Sequence, residues 1–179
     1  VAPEKIQVIH LGIKCDEIPK APMTFEPPVI GYLSKMTDSL GLGSLVDAFI
    51  HVKQNPRLKD LKLRATGGQV GSDATYVKWL KQKLAKHDFE DDVEFMEEFD
   101  VETRREFIQS LSVMSVPAAE GEAFGLFILE ANAAGVPVVQ PHAGAYPEIV
   151  GATGGGIIYE NSGHEALANA LESLLLDAD

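Results

Sequence analysis

The chain has 179 residues, about one domain at roughly 100–200 residues per domain. Its composition, 45% hydrophobic and 23% charged, excludes a disordered, collagenous or coiled-coil chain, and no apolar run approaches the ~20 residues of a membrane span. The 15 Lys and Arg against 27 Asp and Glu give a net charge of −12, which argues against nucleic acid as a partner but allows a small anion, because backbone amides bind phosphate.

Short apolar runs alternate along the chain with stretches in which apolar residues recur every three or four positions, which predicts strands alternating with amphipathic helices. The predicted strands are 29–33, 61–65, 93–95, 113–116, 136–139 and 156–159. The predicted helices are 42–50, 77–84, 101–111, 124–134 and 164–176, with at most one helical turn at 147–150. An extra strand is considered at 6–9.

This alternation predicts a doubly wound, Rossmann-like α/β domain, in which helices cover both faces of a parallel sheet. We expect residues 28–179 to form that domain and residues 1–27 to be an interdomain entry segment and linker. The chain begins without Met and stops directly after a helix, so we interpret it as part of a longer chain. Ligands of such sheets bind beyond the carboxyl ends of the strands, so the loops that follow the strands are the candidate site.

The single cysteine, Cys15, has no partner for an internal disulfide, which favours a reducing compartment such as the cytoplasm. No His or Cys cluster has the spacing of metal ligands, so we predict no metal. His142 stands alone in the loop after the fifth strand and is interpreted as a solvated side chain.

Two glutamates, Glu122 and Glu130, flank the predicted start of the fourth long helix. Between them, the amides of Phe124, Gly125 and Leu126 would lack partners within the helix and, with the positive end of its dipole, form an anion site. Gly125 would let a phosphate approach the backbone closely. Carboxylates accept hydrogen bonds from hydroxyls, so one on either side of a phosphate site favours a nucleotide sugar, with ribose and sugar flanking the diphosphate.

The glutamate pair taken alone has two other interpretations. In the first, Glu122 complements the helix dipole and Glu130 is a solvated helix residue. In the second, the two carboxylates are the acid and the nucleophile of a glycosidase. The glycosidase interpretation is disfavoured, because carboxylates on either side of a helix N-terminus are poorly placed to flank one glycosidic bond.

The same segment resembles the signature of retaining GT-B glycosyltransferases, specifically glycosyltransferase family 4. The shared features, in the same order and spacing, are Glu122, Phe124-Gly125-Leu126, Glu130-Ala131 and the run 135–139. Segments 9–13, 41–49, 144–150 and 155–158 are similar to other parts of that family, so the resemblance covers nearly the whole chain.

The resemblance implies a role for the signature residues. The glutamate matching Glu130 binds the ribose hydroxyls, and the one matching Glu122 is the catalytic contact with the transferred sugar. The amides around Phe124, Gly125 and Leu126 hold the diphosphate, which leaves as the nucleotide.

It also implies expectations for three loops. Lys35 takes the position of a phosphate-binding Arg, with a solvated lysine as the other interpretation, and Leu40 replaces a phosphate-binding Lys. Gly67 and Gly68 are expected to form a tight turn at a strand end, and Gly67 is also considered to lie close to the phosphates, where added bulk would clash. Phe99 either frames the base or packs in the core.

The function implied is that of the C-terminal, donor-binding domain of a hexosyltransferase. Its donor is a UDP-, GDP- or ADP-sugar, it uses no cofactor, and the acceptor site lies in its own N-terminal domain, so this fragment alone is expected to be inactive. A peripheral position at the inner face of the membrane is left open for the longer protein. The alternatives are a GT-B sugar-nucleotide epimerase and a non-catalytic sugar-nucleotide-binding module.

Overall fold

A computed structural model describes residues 2, 5–7, 9–22, 26–68, 71, 73–96, 100–160 and 162–176. Within them, six strands form one parallel sheet: β1 (Val29–Leu33), β2 (Lys62–Thr66), β3 (Val93–Phe95), β4 (Val113–Met114), β5 (Val138–Pro141) and β6 (Gly156–Tyr159). The helices are α1 (Leu42–Val52), α2 (Asp73–Ala85), α3 (Val101–Gln109), α4 (Leu126–Ala134), α5 (Tyr146–Thr153) and α6 (His164–Leu176).

The sheet order is β3-β2-β1-β4-β5-β6, and every neighbouring pair is parallel. Helices α2, α1 and α6 contact one another in one layer, and α3, α4 and α5 in another. These features confirm the predicted doubly wound α/β fold. The order reverses between β1 and β4, and the crevice beyond that point is where open parallel sheets bind ligands.

Apolar side chains are buried where the two helix layers meet the sheet. Ile30 and Tyr32 of β1 and Val138 of β5 are fully buried, as are Phe49 of α1 and Ile128 of α4. Burial of a large aliphatic side chain contributes about 1.5–3 kcal/mol, so this core holds the strand ends in fixed positions.

An ion-pair cluster closes the opposite, amino end of the sheet. Lys53 Nζ, only 4% exposed, lies 2.6 Å from Asp92 Oδ2 and 5.2 Å from the centroid of the Phe89 ring, and Lys62 pairs with the other oxygen of Asp92. Burial alone would raise the pKa of Asp92, but the hydrogen bonds and charges of the two lysines outweigh it and hold the pKa below its usual value.

Two helix boundaries differ from the sequence prediction. The helix predicted to start at Phe124 begins at Leu126, because Gly125 takes a left-handed conformation (φ +52°) that cannot belong to a right-handed helix. The single turn predicted at 147–150 is the eight-residue α5, which begins with Pro147 in its first turn and ends at the left-handed Gly154.

The strand considered at 6–9 is wrong for Ile6, Gln7 and Ile9, which are exposed and lie outside the sheet; Val8 lies outside the described residues. The chain that follows packs on a helix instead. The Ala21 amide donates to the Ala134 carbonyl at the end of α4 (2.7 Å). The interpretation of residues 1–27 as an interdomain entry segment and linker stays a prediction. Across the described ranges, none of the helices is both long and apolar enough to cross a membrane.

Candidate functional site

The loops at the carboxyl ends of the strands touch one another through backbone atoms. A Cβ built on Gly41, at the start of α1, would lie 2.2 Å from the carbonyl oxygen of Pro117, in the loop after β4. A Cβ on Gly121, in that same loop, would lie 2.5 Å from the backbone of Ala143, after β5. The loops after β1, β4 and β5 therefore form one continuous rim.

Lys35 lies in this rim, where the buried Tyr32 holds its loop. The Tyr32 hydroxyl is 2.8 Å from the Lys35 carbonyl oxygen and 3.3 Å from that of Leu40, which span the loop. Lys35 Nζ lies 3.5 Å from Asp73 Oδ2 at the start of α2, and the Lys35 side chain is 48% exposed. The lysine is thus both paired and open to solvent, and its contact with phosphate stays a prediction.

Gly67 adopts φ +135°, and a Cβ there would lie 2.1 Å from the carbonyl oxygen of Ser34. The group that added bulk would meet is therefore the neighbouring loop, whereas the predicted clash concerned the phosphates. Proximity of Gly67 to a phosphate stays a prediction.

Glu122 is half-buried in the loop after β4, and its backbone is fixed by the next loop. The Ala145 amide donates to the Glu122 carbonyl (2.9 Å), and a Cβ on Gly144 would lie 2.8 Å from the Glu122 nitrogen. The Glu122 carboxylate accepts no hydrogen bond and forms no ion pair with the residues described. Burial raises its pKa, so the site contains a carboxylate that has lost solvent without gaining a cation.

Tyr146 lies beside Glu122. Burial, followed by the negative charge of Glu122, raises the pKa of the Tyr146 hydroxyl. That hydroxyl is 3.3 Å from the Val116 carbonyl oxygen and keeps its proton for this contact. Tyr146 thereby links α5 to the loop that carries Glu122.

The N-terminus of α4 faces the same rim. Since Gly125 is the N-cap, Leu126 and Phe127 are the first helical residues, whereas Phe124 precedes the helix and is 63% exposed. The helix has no side-chain cap. Of the three predicted anion-binding amides, only that of Leu126 belongs to the helix, and Phe127 provides a second amide that the sequence prediction missed.

Gly125 is explained by its surroundings. Its positive φ favours glycine, and a Cβ there would lie 2.9 Å from Ile149 Cδ1. Close approach of a phosphate to Gly125 stays a prediction.

Glu130, in the second turn of α4, is paired with Arg104 of α3. Arg104 Nε donates to Glu130 Oε2 over 3.0 Å, and an Nη2 donor of the same guanidinium contacts the same oxygen. Each side chain is 25% exposed. Glu130 is therefore a fixed, charge-compensated carboxylate, in contrast to Glu122.

A cavity of about 330 Å³ adjoins Glu130, between the entry segment and helices α3 and α4. Apolar and charged side chains both line it, and they include Ile13, Ile18, Ile108, Ala134, Lys14, Arg105 and Glu130. The volume is within the range of small-molecule pockets.

Two residues considered from the sequence contribute no geometry to the site. His142 is exposed, as expected for a solvated side chain, and its backbone amide donates to the Tyr159 carbonyl (2.8 Å). Phe99 lies outside the described residues.

Sequence reasoning missed Arg104, although a signal was present. Arg104 lies three and four positions before Phe107 and Ile108, which are buried, so it belongs to the inward face of α3. An arginine on such a face needs a partner of opposite charge, and the search for that partner leads to Glu130.

Comparison with known proteins identifies the family. The profile of the family described as Glycosyl transferases group 1 matches residues 16–179. The chain belongs to this family, as the resemblance implied. A D-inositol 3-phosphate glycosyltransferase of Stackebrandtia nassauensis is 30% identical over 152 residues, which cover 84% of this chain and 34% of that protein. The chain spans about a third of the length of the curated relatives it matches.

Solved structures share the fold. The C-terminal domain of a glycosyl transferase group 1 family protein, LpcC, from Francisella tularensis superposes with a TM-score of 0.75 at 23% identity, covering 91% of this chain and 80% of that one. Anabaena HepE, solved in complex with UDP and glucose, gives a TM-score of 0.72 at 25% identity and covers 83% of this chain and 39% of that one. The predicted GT-B-type, Rossmann-like fold is therefore confirmed.

Proposed function

We propose that this chain is the donor-binding domain of a retaining glycosyltransferase of family 4, which transfers a hexose from a nucleotide diphosphate sugar to an acceptor. The observation that carries the proposal is the contrast between two carboxylates around one helix N-terminus. Glu130 is paired with Arg104, whereas Glu122 is half-buried and forms no ion pair with any described residue.

Glu130 takes the ribose in this proposal. Arg104 Nε and Nη2 donate to Oε2, and no described residue donates to Oε1, which in this proposal accepts from a ribose hydroxyl. The solved complex of HepE with UDP and glucose supports a nucleotide and a sugar as ligands of this fold.

The N-terminus of α4 takes the diphosphate. The amides of Leu126 and Phe127 donate to phosphate oxygens, and the positive end of the helix dipole favours their charge. Lys35 adds a cation from the loop after β1.

The reaction breaks the bond between the sugar C1 and the diphosphate oxygen, which keeps the electron pair. An acceptor hydroxyl bonds to C1 and loses its proton to the departing diphosphate oxygen. Hydrogen bonds to the departing diphosphate are stronger in the transition state, and this is the contribution of the α4 amides. Glu122 contacts the transferred sugar. The acceptor is held by a further, N-terminal domain, in keeping with the fraction of its relatives that the chain spans.

Calorimetric titration of the chain with UDP, GDP and ADP tests the proposal and identifies the base. We expect one nucleotide to bind with a dissociation constant from tens of micromolar to millimolar, about −4 to −6 kcal/mol, because a single domain leaves one side of the ligand in water. Absence of binding by all three would contradict the proposal.

Glu130→Ala tests the ribose contact. The variant should bind that nucleotide roughly 10- to 150-fold more weakly, the effect of about 1.5–3 kcal/mol from a lost charged acceptor. Glu102→Ala, which removes an exposed carboxylate from α3, is the matched control. If the folded Glu130→Ala variant binds the nucleotide as tightly as the parent, Glu130 does not bind the ribose.

Product analysis separates this function from its alternatives. The chain joined to its acceptor domain and supplied with radiolabelled sugar nucleotides should yield a glycosylated acceptor or free sugar with retained configuration. An epimerised sugar nucleotide would indicate an epimerase, and unchanged nucleotide that still binds would indicate a non-catalytic module.

A further inference from the structure

Arg104 is the only described side chain in contact with the carboxylate of Glu130, and it contacts that carboxylate asymmetrically. Two nitrogens of the guanidinium, Nε and Nη2, donate to Oε2, while Oε1 accepts no hydrogen bond from the described residues. A fork that spanned both oxygens would use up the carboxylate, whereas this arrangement fixes it and leaves one oxygen available.

The pair is held by its surroundings. Arg104 and Glu130 are each 25% exposed, so the side chains are largely out of water. Arg104 shares a face of α3 with Phe107 and Ile108, whose burial fixes the helix on which the guanidinium stands. Charge-assisted hydrogen bonds in such a partly desolvated place are stronger than at an exposed surface.

The charge of Arg104 also matters to a neighbouring ligand. Glu130 lies four residues after Leu126, which places it about 6 Å along the axis from the α4 N-terminus at 1.5 Å per residue. An uncompensated carboxylate at that distance would repel a diphosphate, because screening acts over a length of about 8–10 Å. Arg104 removes this repulsion without approaching the diphosphate itself.

We propose that Arg104 is a positioning residue of the donor site: it fixes Oε2 of Glu130 so that Oε1 meets a ribose hydroxyl, and it neutralises the carboxylate beside the diphosphate. The inference rests on the proposed ribose role of Glu130. In this proposal Arg104 acts on nucleotide binding through its contact with Glu130 and not by touching the nucleotide.

A double-mutant cycle tests this statement. Calorimetry measures the affinities of UDP, GDP and ADP, and of their 2′-deoxy counterparts, for the parent, Arg104→Gln, Glu130→Ala and the double variant. We expect Arg104→Gln to weaken ribonucleotide binding about five- to tenfold and to reduce the preference for ribose over 2′-deoxyribose. In the Glu130→Ala background the same change should have less than about a twofold effect.

Arg57→Gln is the control, since Arg57 is an exposed arginine in the turn that precedes β2, at the amino end of the sheet, and forms no ion pair with the described residues. It should leave both the affinity and the ribose preference unchanged. Arg104→Lys should restore part of the affinity, because the ammonium supplies the charge but not the planar fork.

The outcomes separate this inference from the function on which it rests. If Glu130→Ala weakens binding and Arg104→Gln does not, the ribose role stands and the positioning role is wrong. An increase in affinity on Arg104→Gln would show that Arg104 competes with the ligand for Glu130. Additive losses would show that Arg104 acts on the nucleotide directly, and no effect of Glu130→Ala would remove the proposed ribose contact itself.

Discussion

Gly67 lies against the carbonyl of Ser34 so closely that a Cβ at position 67 would be 2.1 Å from the carbonyl oxygen. Gly67→Ala should therefore destabilise the chain by about 3 kcal/mol, from the contact and from its positive φ together. Urea unfolding measures the change. Gly68→Ala is the control, since Gly68 also has a positive φ but nothing within 4 Å of a Cβ, and it should cost only about 1 kcal/mol. Equal losses would show that the Ser34 carbonyl moves aside.

Glu122→Ala should separate the sugar from the nucleotide. UDP should bind nearly as well as to the parent, whereas turnover in the protein that includes the acceptor domain should fall at least about tenfold, as for a lost transition-state contact. Glu120→Ala, in an exposed position of the same loop, should change neither quantity. A large loss of UDP affinity with intact turnover would mean that Glu122, and not Glu130, binds the nucleotide.

The raised pKa of Glu122 also predicts a pH dependence of stability. Burial favours the protonated form in the folded state, so Glu122 destabilises the fold above its folded pKa, and this penalty disappears as the pH falls below the unfolded value. Glu122→Gln should consequently be slightly more stable than the parent near neutral pH, and the two should converge in acid. Denaturant unfolding at a series of pH values from acid to neutral measures this difference. If the stability of the parent and that of Glu122→Gln change in parallel with pH, the Glu122 carboxylate is hydrated in solution and is not destabilised by burial.

Lys35→Ala should weaken binding of the nucleotide diphosphate and reduce its dependence on salt. The Lys35 side chain is 48% exposed, so the attraction of its charge for phosphate is screened within about 8–10 Å at physiological salt and is largest at low salt. Calorimetry over a series of NaCl concentrations measures the slope. Lys78→Ala removes an exposed lysine from α2 and provides the control. If both variants keep the slope of the parent, Lys35 serves only its pair with Asp73.

Asp92→Asn should destabilise the chain at neutral pH by about 2–3 kcal/mol, because Lys53 is left nearly buried without its carboxylate. The lowered pKa of Asp92 means that its stabilisation is present above the unfolded pKa and is lost as the pH falls through the folded one. The difference between parent and variant should therefore shrink in acid. Asp91→Asn, an exposed neighbour, is the control, and thermal unfolding as a function of pH is the measurement. A difference independent of pH would assign the effect to packing.

The fold was predictable because strand and helix patterns are local. Every strand and helix expected in 29–176 is present, with boundaries shifted by a few residues. The start of α4 was placed too early because the left-handed conformation of Gly125 depends on its packing against Ile149, which belongs to another helix. The length of α5 was underestimated because Gly151 and Thr153 are weak helix formers, and packing of Tyr146 against Phe127 supports the helix instead.

The candidate site was predictable as a set of loops but not as a set of pairs. Glu122 and Lys35 lie in the loops expected to carry them. The pairing of Glu130 with Arg104 joins residues 26 positions apart, and that of Lys35 with Asp73 joins the loop after β1 to the start of α2, so neither follows from a local pattern. Only the position of Arg104 on the inward face of α3 signalled that a partner was needed.

The two ends of α4 are secured very differently. At its C-terminal end, the Ala134 carbonyl accepts from Ala21, and Asn132 Nδ2 donates to the Gly155 carbonyl over 2.7 Å. At its N-terminal end, no side chain caps the helix. Hydrogen exchange should therefore be faster for the amides of Leu126 and Phe127 than for those of the last turn, and an anion bound there would supply the missing acceptors and slow their exchange.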